Sequence, residues 1–194
     1  MQVEFRGVEN IPSGSFILAA KHQSALETFA LVEHVDDFSF ILKRELTLIP
    51  LFGWYLKRAE MIAIDRASGR AALEQAIERS RALLAEGRSV FIFPEGTRTK
   101  PGADPKYKTG VTHIYAATGA SCVPVALNTG LYWPRRSFRK YPGTAVIEFL
   151  PVIQPGLERP EFLQLLQSRI ENASNRLIAD SLATDPSASS RLAR

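Results

Sequence analysis

The sequence predicts a single α/β domain, a largely parallel sheet flanked by helices, and three observations predict it. The chain has 194 residues, an ordinary length for one domain. Short apolar runs alternate along it with stretches of helical periodicity, the pattern of α/β units. Several of the runs are apolar nearly throughout, as expected of strands covered on both faces. No internal repeat or long linker breaks the pattern.

The predicted strands, in order, are residues 3–5, 15–20, 38–42, 61–64, 89–93, 121–127 and 144–150. A helix is expected from about residue 24 to residue 35. The clearest helix follows Ser68, because Ala72, Leu73, Ala76, Ile77, Leu83 and Leu84 fall on one stripe. Ser68 suits its N-cap and Gly87 its stop. The run TGVTHIYAAT reads as a further helix. A last one is expected over residues 160–182, with Phe162, Leu165, Leu166, Ile170, Leu177 and Ile178 facing inward. The domain therefore covers residues 1–183, and residues 184–194 read as a disordered tail.

Composition excludes several classes. Hydrophobic residues make up 45% and charged residues 23%, which argues against wholesale disorder and fibrous chains. Cys122 is the single cysteine, so no internal disulfide forms, and a reducing compartment fits. With three histidines in the chain, a Cys/His zinc site is not expected. Lys and Arg number 24 against 20 Asp and Glu, a formal net charge of +4. That mild excess favours anionic partners: headgroups, phosphorylated substrates or an acidic carrier protein. No apolar run approaches the ~20 residues that span a bilayer, and the polar start MQVEFRGVEN does not read as a signal peptide.

Two loops that follow apolar runs are crowded with polar groups, and in open α/β sheets sites lie beyond the carboxyl ends of strands. The first is Lys21-His22-Gln23-Ser24-Ala25-Leu26-Glu27. Histidine titrates near neutral pH and suits a general base. Glu27, five residues on, is placed to fold back onto the imidazole and orient it. The same spacing fits a capping box, in which Glu27 bonds the Ser24 backbone instead. The sequence leaves both roles open. The second loop is Phe93-Pro94-Glu95-Gly96-Thr97-Arg98. Gly96 permits unusual backbone angles, Arg98 offers a fork for phosphate, and Glu95 can orient a donor or hold the loop. Between them, Ile62-Ala63-Ile64-Asp65 ends in Arg66, which would share an anion with Arg98 if the strands are neighbours.

Other features carry less. His113 and His34 read as helix residues, and Cys122 as a small core residue. No nucleophile elbow, phosphate-cradling Gly-Lys-Ser loop or dinucleotide fingerprint is present. Arg135-Arg136-Ser137-Phe138-Arg139-Lys140 is the densest basic stretch, suited to an anionic membrane or a carrier protein. Without a recognised binding module around it, nucleic acid is not expected as a partner.

Taken together, the blocks resemble the glycerolipid acyltransferase family typified by 1-acyl-sn-glycerol-3-phosphate acyltransferase. His22 to Glu27 is similar to its His-x4-Asp block, and Ala63 to Arg66 to a second block ending in arginine. Phe93 to Arg98 matches its Phe-Pro-Glu-Gly-Thr-Arg block throughout, and residues 123–127 resemble a fourth, read as a strand lining the site. Residues 3–150 carry the likeness. Two departures stand out. Glu27 replaces the usual aspartate, one methylene or about 1.5 Å longer. Many members also carry apolar helices before the first block, where this chain begins shortly before His22.

The resemblance implies a mixed α/β fold and an enzyme that acylates the free hydroxyl of lysophosphatidic acid to give phosphatidic acid. His22 would be the general base, oriented by Glu27. Arg66, Glu95, Gly96, Thr97 and Arg98 would bind the acceptor phosphate. No cofactor or metal is implied; acyl-CoA or acyl-carrier protein serves as co-substrate. Alternative acceptors are a lyso-ornithine lipid or glycerol 3-phosphate, and a non-catalytic lipid-binding relative is the other reading. An amphiphilic substrate implies peripheral attachment on the cytoplasmic side of a membrane. Residues 48–58, rich in aromatics and ending in Lys57 and Arg58, would supply an interfacial helix, cover the sheet as core, or line an acyl-chain tunnel.

Overall fold

A computed structural model describes residues 1–192. All seven predicted strands form: β1 (Gln2–Arg6), β2 (Ile17–Ala20), β3 (Phe38–Lys43), β4 (Ile62–Ile64), β5 (Ser89–Ile92), β6 (Cys122–Leu127) and β7 (Thr144–Phe149). They build one sheet in the order β1-β7-β6-β2-β5-β3-β4. Every neighbouring pair is parallel except β6 and β7.

The apolar runs owe their continuity to burial on both faces. Along β2, Ile17 and Ala19 pack against α3 (Arg70–Ala85), α4 (Gly110–Thr118) and α5 (Arg159–Thr184) on one side. Phe16, Leu18 and Ala20 pack on the other with Leu31, Phe40, Phe91 and Phe149. The side-chain period of two divides these sets. Three helices thus cover one face, while the other is covered thinly, by α1 (Leu26–Ala30) and the 3-10 turn Leu31–His34. The helix expected to run to residue 35 is therefore only five residues of α-helix that tighten to 3-10 geometry.

Helix α3 ends as predicted. Gly87 has φ 89, its N–H bonds the Leu84 carbonyl, and the Arg88 N–H bonds that of Leu83 at 2.9 Å, the pattern of a glycine-terminated helix. Its start differs. Ser68 lies in a 3-10 turn capped by Asp65, whose carboxylate accepts from the Ala67 N–H at 3.0 Å. Gly69, at φ 51, then leads into the helix. Asp65 is a stronger anchor than Ser68 because it is charged and already placed by β4.

The expected disordered tail also needs correction within the described residues. Helix α5 runs on through Thr184, and Pro186–Arg191 form a 3-10 turn capped by Asp185. Ala188 and Arg191 are buried, and the Arg191 guanidinium lies 4.7 Å from the centroid of the Tyr141 ring. Residues 193 and 194 of that tail lie outside the described residues.

The topology matters for function because β2, β5, β3 and β4 all run in the same direction. Their carboxyl ends open onto one edge, where sites form in such sheets. The pairing of Ala19 with Ile92 sets the register. Three residues beyond that pair stand His22 and Glu95.

Candidate active site

His22 leaves β2 with its ring half-buried and stacked on Phe93, centroids 3.9 Å apart at 14°. Its Nδ1 lies 2.9 Å from Glu27 Oε1. A carboxylate only accepts, so Nδ1 carries the hydrogen and Nε2 keeps its lone pair. Glu27 is fully buried, and such a carboxylate must be hydrogen-bonded to be tolerated. The same Oε1 accepts the N–H groups of Gln23 at 2.8 Å and Ser24 at 2.7 Å. The other oxygen accepts the Thr129 hydroxyl at 2.7 Å. The two roles left open for Glu27 thus coexist on one oxygen. It bonds the Ser24 backbone and orients the imidazole at once, while Ser24 Oγ accepts from the Leu26 N–H.

A second buried layer lies beneath. Glu95 turns its carboxylate inward, where the side chain is fully buried. It accepts the His22 N–H at 2.7 Å and the Thr99 hydroxyl. Expected among the phosphate-binding groups, it bonds the backbone of His22. Lys21 Nζ lies 3.8 Å from Glu95 and 2.7 Å from Glu171 on α5, with a side chain 1% exposed. Tyr107 donates to Glu171 at 2.8 Å. One ammonium is thus shared by two carboxylates. Burial pushes the Glu95 carboxyl up to about 7, against the pull of Lys21, Thr99 and the His22 N–H. Burial and the Glu171 charge raise the Tyr107 phenol as well.

Above His22 the molecule is open. A cavity of ≈ 370 Å³ is lined by His22, Thr28, Phe40, Leu46, Phe52 and Phe93 together with Arg66, Thr97, Arg98, Arg135 and Arg136. Arg66 and Arg98 therefore do meet at one cavity. Arg66 donates to the Gly96 carbonyl, and Gly96 sits at φ 71, where glycine is favoured. A larger cavity of ≈ 650 Å³ shares Ile41, Arg66, Phe93, Gly96 and Thr97 with the first. It continues between the sheet and the helices α3 and α4, past Ile64, Ala72, Leu73, Ala76, Ile92, Val111 and Ile114. Its walls are mostly apolar, so it suits a hydrocarbon chain.

Helix α2 (Phe52–Arg58) and the 3-10 turn Arg44–Leu48 before it flank this mouth. Leu48 is 72%, Leu51 85% and Trp54 69% exposed, whereas Gly53 and Leu56 are buried. Those exposed side chains are not core. Among the described residues, no helix is long and apolar enough to cross a membrane.

Several partners of the site had no signal in the sequence. Thr129 lies 102 residues from Glu27 and Glu171 lies 150 from Lys21. Lys21 gave a weak hint, as a cation closing an apolar strand. Strand β6, read as lining the site, is buried throughout; it supports β2 from the side and delivers Thr129. His113 pairs with Arg159 instead of joining the site.

A histidine oriented by a buried carboxylate, beside a cationic basin and an apolar cavity, can deprotonate a hydroxyl on an anionic, hydrocarbon-bearing molecule. That chemistry defines a class, and sequence comparison supplies the family. The acyltransferase family model matches residues 2–128, and the chain belongs to that family. It is 39% identical over 171 residues to a 1-acyl-sn-glycerol-3-phosphate acyltransferase of Pseudomonas aeruginosa, covering 88% of this chain and 66% of that one. A chloroplastic enzyme of the same name from Arabidopsis thaliana is 34% identical over 139 residues, covering 70% and 39%. The crystal structure of the 1-acyl-sn-glycerophosphate acyltransferase PlsC from Thermotoga maritima superposes with a TM-score of 0.76 at 27% identity, covering 92% of this chain and 73% of that one. The chain thus spans under two thirds of the length of these two curated relatives.

Proposed function

We propose that this protein transfers a fatty acyl group from a thioester, acyl-CoA or acyl-carrier protein, to the free hydroxyl of lysophosphatidic acid, forming phosphatidic acid. The observation that carries this reading is the His22–Glu27 contact at 2.9 Å on the wall of a cavity that also holds Arg66 and Arg98. His22 Nε2 takes the hydroxyl proton while Glu27 stabilises the imidazolium. The hydroxyl oxygen attacks the thioester carbonyl; a C–O bond forms, the C–S bond breaks, and the imidazolium returns its proton to the leaving thiolate. No acyl-enzyme is required. Arg66 and Arg98, joined by Arg135 and Arg136, hold the acceptor phosphate. The larger apolar cavity takes an acyl chain. Bringing hydroxyl, base and thioester together supplies the proximity contribution. The exposed face of residues 46–55 rests on the lipid surface, with the protein peripheral on its cytoplasmic side.

The test is an acyl-transfer assay with lysophosphatidic acid and each thioester in turn, using wild type, His22→Ala and Glu27→Asp. Turnover by wild type that vanishes in His22→Ala and survives in Glu27→Asp supports the reading. Wild type that binds lipid yet turns over neither donor would replace it with a non-catalytic lipid-binding role. Turnover confined to another lyso-lipid would move the acceptor and leave the mechanism in place.

A further inference from the structure

The charges of this chain are segregated. Between Asp104 and Glu148 there is no acidic residue, while Lys106, Lys108, Arg135, Arg136, Arg139 and Lys140 all fall in that stretch. Four of the six sit in the loop between the 3-10 turn Thr129–Leu131 and β7. The loop is held in shape by its own bonds. Trp133 Nε1 donates to the Ser137 carbonyl at 2.8 Å, and the Arg139 N–H donates to Ser137 Oγ at 3.0 Å. Gly143, at φ 124, lets the Tyr132 ring approach where a Cβ would stand 2.4 Å from it. At the tip of this loop, Phe138 is 101% exposed.

The cations here lean on rings. Lys140 Nζ lies 4.5 Å from the centroid of the Trp133 ring, and the Arg139 guanidinium 4.9 Å from that of Tyr141. Aromatic rings interleaved with Lys and Arg suit the headgroup zone of a bilayer, where one end is apolar and the other charged. The loop also has the right address. Arg135 and Arg136 line the same cavity as His22, and so do Leu46 and Phe52.

The geometry points to residues 134–141 as a second membrane-docking element, at the same cavity as α2, in which Phe138 enters the interface and Arg139 and Lys140 bind anionic headgroups. The inference rests on the reading of this site as one that acts on a lipid. With two contacts flanking the mouth, the cavity is held against the surface instead of tipping about one helix. An acidic protein would match the cations, but it leaves the bare phenyl ring of Phe138 and the exposed apolar side chains of residues 46–55 without a role, so a lipid surface is the better match. Each Lys or Arg near an anionic surface is worth about five-fold in affinity, so removing two should cost ten-fold or more.

Co-sedimentation of the full chain with vesicles of phosphatidylcholine, with or without phosphatidylglycerol, tests this. The variants are Phe138→Ser, Phe138→Trp and the pair Arg139→Gln with Lys140→Gln, each checked for an unchanged melting temperature. The expected result is a loss of at least ten-fold for the paired variant on anionic vesicles. Phe138→Ser should weaken binding on both vesicle types, and Phe138→Trp should retain it. Unchanged binding by both the paired variant and Phe138→Ser would overturn the inference. So would normal vesicle binding with turnover lost only for the carrier-protein thioester, which would assign the loop to that protein. Binding is read without substrate, so a protein that never turned over would count against the proposed activity and leave the loop's role standing.

Discussion

Two sets of charged side chains meet at His22, one below it and one above. Below, Lys21, Glu27, Glu95 and Glu171 are buried or nearly so and bonded mainly to one another, to backbone N–H groups and to the hydroxyls of Thr99, Tyr107 and Thr129. Above, Arg66 and Arg136 are exposed, Arg98 and Arg135 are half-buried, and the last two are tied together only through a backbone carbonyl. The contrast follows from solvent. A buried charge is tolerated only with full pairing, and the groups that pair with it lose their freedom in doing so. A charge in water keeps its mobility and stays available to a ligand. On the proposed function, the lower layer fixes geometry and the upper rim takes substrate.

That division can be broken from either side. The largest effect is expected from Glu27→Gln, which keeps the shape but removes the charge facing the imidazole. The value of kcat should fall about 10²–10⁴-fold, with acceptor KM little changed. An equal loss in KM would show that Glu27 belongs to binding. Next comes Glu171→Gln, which leaves Lys21 buried beside a weaker partner. Urea denaturation should show about 2–3 kcal/mol lost, and kcat should drop while KM holds, although Glu171 lies outside the reaction centre. Stability and kcat both at wild-type level would detach α5 from the site.

Arg66→Ala tests the rim. Acceptor KM should rise about ten-fold, the worth of a charge-assisted bond to phosphate, with no change in melting temperature because Arg66 is exposed. An unaltered KM would mean an acceptor without phosphate at that position. The smallest signal is a slope. Glu95 holds its proton up to about 7 in the folded protein, against an ordinary 4.5. Between those values the folded state binds a proton that the unfolded chain has released. Stability from this group is therefore present below 4.5, falls as pH rises through the window, and is level above about 7. In Glu95→Gln the melting temperature should fall less steeply across that range. A slope equal to wild type would place the titration elsewhere.

The same contrast explains what could be read from the chain. Strands were legible because burial on both faces writes a local record, a run such as Ile17–Ala20. His22 and Glu27 were legible because they share one loop. Arg66 and Arg98 were legible as loop residues, and the parallel order of β4, β3 and β5 brings them to one cavity. Glu171 left no local trace, since a glutamate on a helix reads as solvated until the fold turns it toward Lys21. Glu95 was legible by type but not by direction: only the β2–β5 register reveals that its carboxylate meets the His22 N–H. The extended α5 and the turn after it escaped for a similar reason, because Ala188 and Arg191 are anchored by distant neighbours.

The 150-residue separation between Lys21 and Glu171 also sets when the site can exist during synthesis. The ribosome delivers β2 and His22 well before α5. Until α5 emerges, Lys21 lacks its nearest carboxylate, and burying it would cost more than the half-made sheet returns. Domains tend to fold as units, and such distant contacts form late. A nascent chain is therefore expected to leave the His22 loop unfixed until α5 has emerged. In refolding, hydrogen-exchange protection of the His22, Gln23 and Ser24 amides should appear in the same phase as that of α5. Protection of those amides well ahead of α5 would show that the loop closes on its own.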